Sequence, residues 1–179
     1  FQASVVNGTA SKFAYVSWLY QLRRLHSEME SAFTEHVGRT PELAAVITAE
    51  QFKTHLIDDD LAVLASDGSS LRVTPAAEAL AARVRTTVAE LPVTLLGYWY
   101  VLEGATNGNK FLVRGLTQAF GGSAGLSYLD PYGDRQREHW MHWKAQVDAL
   151  GIADDVSTRV VDAAKAMFLG LVAILAALS

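Results

Sequence analysis

Cysteine is absent from this chain of 179 residues. That excludes disulfides, thiolate metal sites and a cysteine nucleophile. It fits a reducing compartment, and the cytoplasm is the expected location. A basic surplus is absent as well. The net charge is −4, which argues against nucleic acid as the main partner. Residues Phe1 to Ser11 lack the basic start and long apolar core of a signal peptide. The longest apolar run, Ala166 to Leu178, has thirteen residues against the roughly 20 that a bilayer requires, so no membrane span is expected. That tail could complete the core or pair with a second copy in a homodimer. No stretch alternates at period two. There is no internal repeat, low-complexity tract or linker, no P-loop and no dinucleotide fingerprint.

What is present is helical periodicity. Half of the residues are hydrophobic and 19% are charged, which suits one all-α domain over residues 1–179 with a sizeable core. Tyr15, Leu19, Leu22, His26, Met29 and Phe33 recur at intervals of four and three, one face of a helix. Thr9 or Ser11 caps its start, and Gly38 to Leu43 ("GRTPEL") ends it. Thr48 and Gln51 form a capping box for a second helix running to about Ser66. "SDGSS" reads as a turn. Thr74 and Pro75 open a third helix to about Leu91. The long segment Val93 to Phe120 follows. Beyond loops at Gly121–Gly125 and Leu129–Asp134, Arg135 to Leu150 is helical and closed by Gly151. A last helix, capped by Asp154 or Asp155, runs to Ala177.

Within the long segment, Gly104 and Gly108 interrupt an apolar helix. Each glycine costs about 1 kcal/mol relative to alanine. Close helix packing explains such a pair. So does close approach of backbone to a flat ligand, which only glycine permits. Asn107 and Asn109 supply polar groups where a packing helix would carry alanine, and they favour the ligand.

Other candidates carry competing readings. His26 and Glu30 are one turn apart. They could bind a metal, contact a ligand, or satisfy each other in the core, and the last is the commoner arrangement. Glu138 and His142 repeat that spacing. With an aspartate from Asp58, Asp59 and Asp60 they would make the donor set of a di-iron bundle. Arg135 and Arg137 beside the first group, and the aspartate run itself, look instead like solvated faces. Gly121 to Gly125 matches G-x-S-x-G in letters, but a helix precedes it and no sheet supports it, so it reads as a loop.

"GYWYVLEGATNGNKFLVRGL" resembles the distal helix of haem oxygenases, above all the bacterial biliverdin-producing branch. "YVSWLYQLRRLHSEMESAF", "FKTHLIDDDLAVL" and "VTPAAEALAARV" are similar to the helices before it. "HWKAQVDALGIADDVSTRVVDAAKAMFLGLVAIL" is similar to the last two. The resemblance implies a haem-oxygenase-like helical bundle that opens haem to biliverdin, carbon monoxide and iron. Electrons would come from a ferredoxin or flavoprotein reductase. It implies close haem approach at Gly104 and Gly108, and distal water ordered by Asn107 or His26. Phe168 would line the pocket, Lys144 would pair with a propionate, and Arg23 and Arg24 would sit at the haem edge. Ala105 stands where animal enzymes carry an aspartate, Asn109 replaces a glycine, and Trp140 replaces a basic residue. The family's iron-ligating histidine lies on a helix that precedes these matches. No histidine here is carried over to that role, and His26 falls on the distal side. Two alternatives stand beside turnover: tetrapyrrole binding without it, and a di-iron oxidase built on His26, Glu30, Glu138 and His142.

Overall fold

The computed structural model describes residues 9–65 and 71–178, and among them there is no strand. Helix α1, Lys12–His36, begins where the Ser11 hydroxyl accepts the amide of Ala14 at 3.0 Å. Tyr15, Leu19, Leu22, His26 and Met29 are all buried, as their spacing requires, and Phe33 packs against the core. Gly38 and Pro41 do more than stop α1. A 3-10 turn, Val37–Arg39, leads into a short helix α2, Pro41–Val46.

The Thr48–Gln51 capping box exists, but it closes a single 3-10 turn, Ala49–Gln51. Helix α3, Thr54–Leu64, starts later. Its cap comes from another helix: Glu30 on α1 accepts the amides of Lys53 and Thr54 at 2.7 and 3.0 Å. A carboxylate suits the positive end of the helix dipole. The expected turn at residues 66–70 lies outside the described residues.

Helix α4, Pro75–Glu90, has Pro75 in its first turn and the Thr74 hydroxyl as cap, as expected. The long segment divides into α5, Leu95–Gly108, and α6, Lys110–Phe120, which ends on Gly121 at φ 74°. Helix α7 spans Gln136–Asp148 and α8 spans Asp154–Ala177. Asp154 and Asp155 do not cap α8. Ala153 holds that position without a side-chain bond, and the aspartates occupy the first turn.

The core forms where α5 crosses α8, with α1 and α4 alongside. A Cβ on Gly97 would stand 2.0 Å from the Val160 carbonyl oxygen, so the two backbones touch there and no side chain fits. Helix α8 revises the estimate from apolar run length. Its 24 residues include a window of mean hydropathy 2.0, long and apolar enough to cross a membrane by composition alone, and only 22% of that window is buried.

The aspartate run is not a uniform solvated face. Asp59 is exposed, Asp58 pairs with Arg23, and Asp60 is wholly buried. The Asp60 carboxylate accepts the amides of Ser127 and Tyr128, each at 2.8 Å, and so ties α3 to the loop before α7. Two charge-assisted bonds are at stake, so Asp60→Ala should lower the unfolding free energy by about 3 kcal/mol. Urea denaturation measures this, and a loss below about 1 kcal/mol would mean that the loop holds without Asp60.

Candidate functional site

A cavity of about 510 Å³ opens between α1, α5, α6 and α8. Its floor is α5 at Gly104 and Ala105, continued past the helix break by Asn109 and Leu112. Trp18 and Leu22 come from α1, and Phe168, Leu171 and Val172 from α8. Tyr128 enters from the loop that Asp60 holds. The α8 flank stands open, with Phe168 62% and Val172 53% exposed. A second groove of about 560 Å³, lined by Leu96, Gly97 and Val160, contains none of the candidate site residues.

Gly104, Ala105 and Phe168 line the cavity. Gly104 also meets a packing need, since a Cβ there would stand 3.3 Å from the Trp140 ring. Gly108 has nothing within 4 Å of that position, so neither packing nor a positive φ requires glycine there. Asn107 is half-buried off the cavity, and Asn109 is the asparagine on its wall. Lys144 holds its ammonium over the Trp140 ring, 5.7 Å from the centroid. Arg23 is committed to Asp58 on the surface of α1 and α3, away from the cavity lining.

His26 sits one layer behind the wall. Its Nε2 lies 3.2 Å from the Tyr128 hydroxyl, and the rings meet edge to face at 5.4 Å. Burial, aided by the nearby Lys53 charge, pushes the imidazole down to about 3, so the ring is neutral at neutral pH. Burial also raises the Tyr128 phenol, which keeps its proton.

The di-iron set does not assemble. Glu30 caps α3, His26 bonds Tyr128, and Glu138 and His142 lie exposed on α7. Among the described residues no three His, Asp or Glu side chains converge as metal ligands.

Sequence reasoning missed a polar cluster behind α5. Lys53, 1% exposed, forms an ion pair with Glu103, 3% exposed. Lys53 also donates to the Thr106 hydroxyl at 2.9 Å, and the Tyr132 hydroxyl donates to Glu103. Burial pushes the Lys53 ammonium below its ordinary value, and the Glu103 carboxylate opposes that push. Tyr132 stacks on His139 at 3.9 Å, and His139 stands 3.6 Å from Glu50 at the surface. The signal was Glu103 itself, a lone acid directly after the apolar run Leu95 to Leu102.

The family model described as Heme oxygenase matches residues 1–177. Among solved structures, heme oxygenase-2 from Synechocystis sp. PCC 6803, in complex with heme and NO, is similar at a TM-score of 0.87. It is 19% identical, over 98% of this chain and 75% of that one. Heme oxygenase-1 from the same cyanobacterium, in complex with heme, has a TM-score of 0.85 and 20% identity, over 99% of this chain and 82% of that one. Heme oxygenase from Leptospira interrogans has a TM-score of 0.85 and 18% identity, over 97% and 87%. No curated protein sequence matches the chain.

The buried His26 makes a pH prediction. The unfolded chain takes up its proton near the ordinary 6.5 and the fold only near 3, so falling pH favours the unfolded state. The contribution is whole above the unfolded value and drains as pH falls towards 3. Between pH 6.5 and about 5 the loss should reach about 2 kcal/mol, at about 1.4 kcal/mol per unit. His26→Gln should flatten that part of the stability profile. Parallel profiles for the two proteins would show that His26 is not the titrating group.

Proposed function

The chain belongs to the haem oxygenase family, and from that premise we propose that it binds haem in the α1–α5–α8 cavity and opens the macrocycle to biliverdin, carbon monoxide and iron. The observation that carries this is the cavity floor. Gly104 and Ala105 present almost bare backbone to a space walled by apolar and aromatic side chains. A flat apolar macrocycle suits that floor, and the volume lies within the range of small-molecule sites. Bound haem would supply the redox chemistry with dioxygen and external electrons.

The chain's own residues bind, orient and exclude water. Gly104 and Ala105 permit close approach. Leu112, Phe168 and Leu171 give the face an apolar wall. Asn109 and Tyr128 are polar groups at the wall, beside Tyr100, and in this reading they replace Asn107 in the role of ordering distal water. His26, held neutral, acts through the Tyr128 hydroxyl and fixes its direction. Lys144 is the cation we assign to a propionate. Its flexible four-carbon stem lets the ammonium leave the Trp140 face. Electrons come from a separate ferredoxin or flavoprotein, since the chain carries no dinucleotide fingerprint of its own.

One observation favours a second reading, binding without turnover. Among the described residues no histidine lines the cavity, so no axial iron ligand is assigned.

Haemin titration followed by ascorbate separates the two. A sharp Soret band followed by biliverdin supports turnover. A stable Soret band without biliverdin supports binding alone, and no spectral change rejects both. Gly108→Ala tests the close approach. The free chain should gain about 0.5 kcal/mol from helix propensity, while haem affinity falls. Unchanged affinity would remove Gly108 from the contact surface. Gly104→Leu is a poorer test, because the new side chain would strike Trp140 whether or not haem binds.

A further inference from the structure

The break between α5 and α6 divides the cavity floor. Gly104 and Ala105 lie before it, Asn109 and Leu112 after it. Helix breaks have identifiable causes: proline, glycine conformation, or a side chain inserted into the hydrogen-bond ladder. No proline occurs between residues 95 and 120. Gly108 is not at positive φ, and Asn109 has ordinary helical angles of −71° and −12°. Neither residue compels the chain to break.

The inserted side chain is Gln136, the first residue of α7. Its Nε2 donates to the Thr106 carbonyl, which also accepts the Asn109 amide at 3.1 Å. The facing atom must be the amide nitrogen, because a carbonyl oxygen only accepts. Gln136 is 1% exposed, and its Oε1 is buried without a protein partner. A residue present only to fill space would be apolar there, since an unmatched buried acceptor is destabilising. On the same turn Lys53 pins the Thr106 hydroxyl.

We propose that Gln136 is a positioning residue: it braces the Thr106 carbonyl at the break, fixes the angle between the two halves of the cavity floor, and so determines how a bound macrocycle is turned. The last step rests on the haem reading. The brace itself does not.

The test uses Gln136→Met, which keeps the length and removes the donor, beside Val84→Ala. Val84 is a buried core residue on α4 outside the cavity lining, so its substitution serves as a control for simple destabilisation. In the haem-free chain, Gln136→Met should speed amide hydrogen exchange from Asn107 to Val113 about tenfold, the effect of one lost hydrogen bond. Exchange in α1 and α4 should stay unchanged. With haem bound and turned over, the ratio of biliverdin isomers should shift in Gln136→Met and not in Val84→Ala. Even acceleration across the whole chain, or none, overturns the brace. An isomer ratio that moves equally in both variants, or in neither, overturns its control of orientation. Should the wild-type chain bind no haem, the haem reading fails, and the exchange data alone decide the brace.

Discussion

Everything at the candidate site depends on the buried ion pair between Lys53 and Glu103. Removing two charges from water is expensive, and such pairs are retained where they fix an arrangement that apolar packing would leave loose. Here the arrangement is the rotation of α5. Successive helix residues turn by about 100°. Glu103 and Thr106, three apart, therefore share one face, and both are engaged by Lys53. Gly104 and Ala105 are thereby forced to the opposite face, which is the cavity floor. The same turn carries Asn107 to the edge of the Glu103 face and Asn109 to the cavity. The bare surface offered to a ligand is thus determined by the charged residues behind it.

The glycines of α5 answer to different neighbours. Gly97 is required by the crossing with α8, where the Val160 carbonyl occupies the place of a side chain. Gly104 is required in part by Trp140, which also contacts Tyr100 at 5.1 Å and Trp143 at 5.8 Å. Gly108 has no protein neighbour to explain it. The ligand argument, which the sequence spread evenly over Gly104 and Gly108, therefore rests on the cavity itself, whose lining includes Gly104 and not Gly108. Trp140 has a second consequence. It stands where a basic residue is expected, and its ring holds the Lys144 ammonium away from the cavity lining.

The helices were legible in the sequence because their signals are local. The α1 stripe, the Thr74–Pro75 start and the glycine stops at Gly121 and Gly151 each depend on neighbours within one turn. Tertiary partners were not legible. The Thr48–Gln51 box was read correctly as a motif and wrongly as a helix start, because the cap of α3 is Glu30, more than twenty residues away. Asp60 could not be separated from Asp58 and Asp59 without knowing that two amides of the 127–128 loop reach it. Resemblance singled out Gly104, Ala105 and Phe168, and all three line the cavity. Lys53, Tyr128 and Gln136 were not, since each acts across a contact that no spacing rule encodes.

With Ala105 on the floor, Tyr100 is the one polar side chain that α5 brings to the cavity before its break. The other hydrogen-bonding groups come from elsewhere. Asn109 stands at the junction of α5 and α6, and Tyr128 comes from the loop whose amides Asp60 holds. His26 then has one function open to it. Behind the wall and neutral, it cannot reach a ligand, but it can direct the Tyr128 hydroxyl. The polar chemistry of the cavity is therefore built from a loop held by α3 and oriented by α1. The floor itself contributes shape and closeness, which is the division of labour that two nearly bare residues on a rigidly anchored helix allow.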